Sequence, residues 1–401
     1  ENMSLQVSDA NVLNASNGQW PFYDSDEIQA VSEVLASGKV NYWTGSKGRE
    51  FERAWAAKVG TEYGLAVMNG TVTMELALIA LGIGPGDDVI ITPRTFVATA
   101  TAVMARGARP IFADVDRDSG NVTPETLEAV FTPQTKAVIP VHLGGWPCDM
   151  DGIMEWANAR GVHVIEDCAQ AHGAKWNGKS VGSFGVINSW SFCQDKIMTL
   201  GGEGGAITTN DLGLWKVMWA YKDHGKNYDT VYHKQHKEGF RWLHEGPGTN
   251  WRMTELQAVI GLCQIGKLDA WVAKRRELAG ILNDALGNVE GLRVPLAPEK
   301  AHHAYYRWYG FLDLEQLKDG WTRERVCARV EEKGFKCQVG SCSEIYLEKT
   351  FDAAYRPEKR LPVAKELGET SLVLFVHPTL SREMVEGAAQ ALIETLAEAR
   401  R

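Results

Sequence analysis

Four short stretches carry the residue types that chemistry needs. Ser191-Phe-Cys-Gln-Asp-Lys196 runs into a glycine-rich turn, Gly201-Gly-Glu-Gly-Gly205. A lysine held there, just past a strand, can face a cleft, and a deprotonated, positioned amine forms Schiff bases. A lone lysine in a flexible loop is more often merely solvated. Glu166-Asp-Cys-Ala-Gln170-Ala-His172-Gly173 closes an apolar run. An acid at that place is partly buried and needs a partner, such as a protonated ring nitrogen, unless it only caps a helix. Asn69-Gly70-Thr71-Val72 follows a strand and opens a helix. The first amides of a helix and its partial positive charge suit a phosphate. Gly70 admits close backbone approach and Thr71 adds a hydroxyl, although an Asn-Gly turn alone is most often just a turn. Gly248-Thr-Asn250-Trp-Arg252-Met-Thr-Glu255 precedes a long helix and leaves Asn250 without a local task.

The elements that must position these stretches alternate. Apolar, β-rich runs fall at 65–68, 88–92, 109–113, 137–141 and 163–166, with helical patterns at 72–81, 97–106, 124–130 and 151–160 between them. Such repetition predicts a mainly parallel sheet covered on both faces. Ligands of such sheets bind in loops at the carboxyl ends of the strands, which is where the chemistry-bearing residues fall. Two helices precede the alternation, at 24–37 and 47–58, each followed by a glycine that can end it. Two further strands are expected at 188–192 and 205–208. The stretch 226–248 is an excursion rich in His, Lys, Tyr and Trp. One long helix is expected over 254–286, and Gly287-Asn-Val-Glu-Gly291 then breaks the pattern. The boundary is placed there, giving a large domain over 1–286 and a smaller α+β domain over 287–401.

The chain has 401 residues, with 42 basic and 51 acidic side chains and a net charge of −9. The acidic balance argues against nucleic acid as a partner. No apolar stretch approaches the roughly 18 residues of a membrane helix, and 371–376 is only a buried-strand candidate. No basic and apolar leader opens the sequence, so secretion is not expected. Residue 1 is Glu, so the start is expected to be processed or vector-derived, with Met3 a candidate beginning. Seven cysteines without a CxxC pair predict reduced thiols in a cytoplasmic protein and no metal site.

Taken together and in order, the motifs resemble the DegT-like sugar aminotransferases of the fold type I pyridoxal phosphate (PLP) class. The resemblance runs from about Trp43 to Pro378. It rests on the four stretches above and on Trp43-Thr-Gly45, Pro93-Arg-Thr-Phe96-Val-Ala-Thr99, Asp114-Val-Asp116, Pro140-Val-His-Leu143 and His224-Gly225. It implies a mainly parallel seven-stranded sheet flanked by helices. It also implies that Lys196 carries PLP and shuttles protons, and that Asp167 pairs with the pyridinium nitrogen so that the ring takes up carbanion charge. Gln170 then contacts the phenolic oxygen and Phe96 stacks on the ring. Gly70, Thr71, Val72 and Ser191 hold the phosphate, and Asn250 reaches the phosphate of the other subunit in a homodimer with a shared active site. Trp43, Thr44 and His377 are candidate substrate contacts.

The implied reaction moves the amine of L-glutamate, through pyridoxamine phosphate, onto the ketone of a nucleotide-linked keto sugar. Lysine at 196, where related dehydratases carry histidine, favours transamination. The alternatives are a cyclitol ketone as acceptor, and a non-catalytic PLP-fold sensor or scaffold. Gly144-Gly145-Trp146 departs from the family pattern. The excursion 226–248 is either a grip for a diphosphate and base or a solvated loop or dimer contact.

Overall fold

The computed structural model describes residues 18–401. The readings made on the first 17 residues, including the place of Met3, lie outside the described residues.

Helices α1 (Ser25–Ser37) and α2 (Lys47–Val59) lead in, each closed by a glycine in the left-handed region. Then β1 (Tyr63–Val67), α3 (Gly70–Ala80), β2 (Asp88–Ile91), α4 (Ala98–Ala105), β3 (Arg109–Phe112), α5 (Pro124–Glu128), β4 (Thr135–Ile139), α6 (Met150–Arg160) and β5 (His163–Asp167) alternate. Short β6 (Lys175–Trp176) and β7 (Lys179–Ser180) precede β8 (Ile187–Ser191) and β9 (Gly205–Thr209). Seven strands form one sheet in the order β1-β9-β8-β5-β4-β2-β3. The pairs β2/β3, β2/β4, β4/β5 and β5/β8 are parallel, and only β9 runs against its neighbours β1 and β8. Every residue of β2 is buried, as expected for a strand covered on both faces.

After β9 come α7 (Leu212–Tyr221), α8 (Tyr228–Tyr232), α9 (Glu255–Ile265) and α10 (Leu268–Leu286). The single helix expected over 254–286 is therefore two. Gly266, the poorest helix former short of proline, closes the first, and Lys267 adopts φ −98° and ψ −17°. Its ammonium reaches Asp26 at 2.7 Å and Glu27 at 3.0 Å on α1. The excursion contains α8 and an exposed tip, where Phe240 and Trp242 are 73% and 79% accessible.

The two halves of α10 serve different cores. Leu268 and Val272 pack beside Trp55, Trp190 and Phe192. Leu278, Leu282 and Leu286 pack with the C-terminal elements. Those are β10 (Leu292–Arg293), β11 (Ala301–His302), β12 (Trp308–Leu312), α11 (Arg323–Glu332), α12 (Pro362–Thr370), β13 (Ser371–Leu374) and α13 (Arg382–Ala399). Strands β10, β12 and β13 make a small antiparallel sheet. Residues 345–351 return to the large core, where Tyr346 and Phe351 meet Phe112 edge-on.

Candidate active site

The carboxyl ends of β1, β2, β5 and β8 open onto one cavity of about 400 Å³. Gly70, Thr71, Phe96, Asp167, Gln170, Ser191 and Lys196 all line it. Asn69 caps α3 by accepting the Val72 amide at 3.1 Å. A Cβ on Gly70 would stand 2.5 Å from the Ser191 Cβ, so only glycine lets the helix start press against the end of β8. Phe96 presents an exposed ring, 70% accessible, on the loop between β2 and α4.

Asp167 ends β5. Its Oδ1 accepts the Ala169 amide at 3.1 Å and its Oδ2 the Thr99 hydroxyl at 3.2 Å. Burial pushes its carboxyl above the ordinary value, against the pull of the Ala169 amide and Lys196. Lys196 is held in turn. The indole of Trp20 donates to its carbonyl at 2.9 Å, and its ammonium nitrogen stands 5.1 Å from the Tyr306 ring centre. Burial lowers its pKa, with Asp195 and Asp167 opposing, so the neutral amine is more accessible than in water. The Gln170 amide is oriented by the Gly144 N–H, which donates to its Oε1 at 2.7 Å. That leaves its NH₂ for a ligand. Here the departure at 144–145 finds its reason. A Cβ on Gly145 would meet the Tyr305 nitrogen at 2.7 Å, so the glycines let the segment 304–307 approach.

The C-terminal region supplies residues that no local motif announces. Tyr306 donates to Asp195 Oδ1 at 2.9 Å, and Arg307 to Oδ2 at 2.7 Å. Burial alone would raise the Asp195 carboxyl, but Arg307 outweighs it and holds it low. Thr99, Ser189, Cys193, Asp195 and Glu203 also line the cavity. Ser189 is tied to Thr73 by a short hydroxyl–hydroxyl bond.

Five residues singled out in the sequence do not line this cavity. The Val72 amide is taken by Asn69. Trp43 donates its indole to Asp223 at 2.7 Å, and Lys226 and Arg252 bind the same carboxylate at 3.0 and 2.8 Å. Thr44 sits beside it, its hydroxyl bonded to the Asn41 carbonyl. Asn250 is exposed and bridged through its backbone to Asp223. His377 is buried against Trp20, its Nδ1 2.9 Å from the Thr379 hydroxyl. Burial first, and then Arg275, keep it neutral, with a pKa of about 3.

Chemically, the cavity offers a buried acid awaiting a cation, a half-buried amine of reduced basicity, an exposed aromatic face and the start of a helix. A flat ring with a protonatable nitrogen, an aldehyde and an anionic arm matches all four. The sequence profile of the DegT/DnrJ/EryC1/StrS aminotransferase family matches residues 21–393. The chain is 37% identical to a UDP-N-acetyl-3-dehydro-alpha-D-glucosamine 3-aminotransferase of Acidithiobacillus ferrooxidans, over 92% of this chain and 94% of that protein. It is 34% identical to the GDP-perosamine synthase of Escherichia coli O157:H7, over 91% and 94%. Among solved structures, an aminotransferase from Psychrobacter cryohalolentis superposes with a TM-score of 0.93 at 51% identity, covering 95% of this chain and 98% of that one.

Proposed function

The chain belongs to the DegT/DnrJ/EryC1/StrS aminotransferase family, and from that premise we propose that it transfers the amine of L-glutamate to the ketone of a nucleotide-linked keto sugar, with PLP as cofactor. The observation that carries this reading is the pairing of half-buried Lys196 with buried Asp167 across one cavity. Relatives named for UDP- and GDP-linked sugars support the acceptor class.

The residues present fit the cofactor. Lys196 would hold it covalently, Asp167 would face its ring nitrogen and Phe96 its ring. Gln170 would meet its phenolic oxygen through the amide NH₂. Gly70, Thr71 and Ser191 would hold the phosphate, joined by Val72 and by Asn250 of a second copy. When bound, PLP supplies an electron sink for the carbanion formed beside the transferred nitrogen. The other steps belong to the chain. Once the donor's amine has displaced it, the Lys196 Nζ, whose pKa burial lowers, takes the proton from the donor's α-carbon and delivers one to the sugar carbon that gains nitrogen. Asp167 holds a proton on the ring nitrogen by keeping its own negative charge beside it. Thr99 and the Ala169 amide fix the direction of that carboxylate.

Asn250 is exposed and outside its own cavity, which supports a role across a homodimer interface. Trp43, Thr44 and His377 are proposed substrate contacts of the assembled dimer. Seven free cysteines support a cytoplasmic location. Among the described residues, no helix is long and apolar enough to cross a membrane.

The test is the absorbance of the purified protein with PLP, before and after L-glutamate. A visible band that glutamate converts to a near-ultraviolet one is expected. A visible band untouched by glutamate would remove glutamate as donor. Failure to retain PLP would remove the cofactor assignment.

A further inference from the structure

Arg94 sits two residues before Phe96, away from the Lys196 cavity, and only 1% of its surface is accessible. Its Nε, Nη1 and Nη2 all lack a hydrogen-bond partner. The guanidinium stands 5.0 Å from the centre of the Tyr309 ring, on a strand of the small sheet. It lines a second cavity of about 20 Å³ together with Ser119, Gly120, Leu143, Tyr305 and Tyr309. A Cβ on Gly120 would lie 3.4 Å from both Cδ and Nε of Arg94, so this glycine keeps space beside the guanidinium.

Nothing charged in that lining answers the arginine. Asp118 gives its carboxylate to Arg293 at 2.7 Å and is mostly exposed. The Tyr309 hydroxyl donates to the Ser341 Oγ at 3.3 Å and accepts the Ser341 amide at 3.1 Å. Ser119 donates to Asp116. His303 Nδ1 accepts the Tyr305 amide at 2.9 Å, and burial keeps its ring uncharged. A buried guanidinium that is neither paired nor hydrogen-bonded is costly, and arginine does not escape by losing its proton.

We infer that Arg94 binds a monovalent inorganic anion of chloride size in this cavity. The space admits one such occupant, since a single water needs about 10–15 Å³ by the same measure. It excludes a carboxylate or phosphate ligand. A water would satisfy a donor but leave the charge unanswered. The ion would tie two parts of the chain together. Arg94 belongs to the loop that carries Phe96, whose Pro93 carbonyl accepts the Ile345 amide at 3.0 Å, while Tyr309 belongs to the C-terminal region. The inference does not depend on the transferred group or on PLP.

The experiment compares sodium chloride with sodium gluconate at equal ionic strength on the PLP-loaded wild type. Gluconate is too large to enter. Chloride is expected to raise Tm with the logarithm of its concentration, reaching about 3 °C at a hundredfold excess over its dissociation constant, and Arg94→Met is expected to abolish the difference. Crystals grown in bromide should show one anomalous peak within hydrogen-bond distance of the guanidinium. Equal Tm in the two salts, an undiminished chloride effect in Arg94→Met, or bromide crystals without that peak would each overturn the inference. Should Arg94→Met fail to fold, the bromide peak in the wild type decides.

Discussion

Glu166 and Asp167 are adjacent on β5, both buried, and point to opposite sides of the sheet with opposite outcomes. Glu166 is completed by the chain itself. Its carboxylate accepts the Gly182, Phe184 and Gly185 amides at 2.8–2.9 Å. It also accepts the His142 Nε2 proton at 2.9 Å. That tautomer is set by the Cys148 amide, which donates to Nδ1. Burial would raise Glu166, but the bond from His142 and these amides outweigh it and hold it low. Asp167 has one amide and one hydroxyl, and burial wins. One acid is a structural pin. The other is left short of a cation, which is what a ligand-binding acid requires. The difference lies chiefly in the number of donors, since both are buried.

The largest expected effect lies on the Asp167 side. Lys196→Ala should cost about 10⁴-fold or more in kcat while leaving the fold intact, checked by single-turnover kinetics and circular dichroism. Undiminished turnover would remove Lys196 from the chemistry. Asp167→Asn should follow with about a 10³-fold loss in kcat and weaker PLP retention. Its stability should move the other way. A carboxyl raised in the folded state weakens the fold progressively as pH rises through that raised value. The cofactor-free Asn variant should therefore gain on the wild type at neutral pH, with the gain fading in acid, when urea unfolding is followed against pH. A cofactor-free variant less stable than wild type at neutral pH would break the contrast with Glu166.

Glu166→Gln should show the mirror image. Removing the charge and turning an NH₂ toward donating amides should cost about 3–5 kcal/mol of stability. The pH dependence has the opposite sign. A carboxyl lowered in the folded state contributes stability above its unfolded value of about 4.3, and that stability is lost as pH falls through the folded value. The acid limb of the wild-type stability profile should flatten in the variant. A Glu166→Gln protein as stable as wild type would mean that the four donors were not needed.

The places of these residues were legible in unequal measure. Asp167 ends a strand, Gly70 opens a helix, and Gln170 and Lys196 sit in turns just past a strand, so short local patterns exposed them. The central sheet was legible for the same reason, because alternating β and helical runs leave few topologies. Tyr306 and Arg307 were not legible. They reach Asp195 across 111 and 112 residues, and no local spacing encodes such a meeting. The break at Gly266 was missed because the apolar pattern continues across it, and the turn is set by Lys267 reaching α1. The division of labour between Glu166 and Asp167 was hidden too, since Glu166 earns its amides from the turn at 182–185, which only the folded chain brings near.

The smallest effect sharpens the comparison most. Thr99 donates to Asp167 Oδ2 at 3.2 Å and lies 3.1 Å from the Thr95 hydroxyl. Thr99→Val keeps the shape and removes one of the two donors to the carboxylate. A hydrogen bond to a charged group is worth about 1.5–3 kcal/mol. Part of that reappears as a higher Asp167 pKa rather than as lost affinity. PLP retention should therefore weaken only about tenfold, at the lower end of that range, with kcat of the loaded enzyme little changed. Dissociation constants for PLP on the cofactor-free protein, measured between pH 6 and 9, would read this directly, and the deficit should shrink as pH rises and Asp167 ionises without help. A deficit independent of pH would mean that Thr99 orients the carboxylate rather than stabilising its charge. In that case Asp167 would depend on geometry, as Glu166 does, and the two acids would differ less than their donor counts suggest.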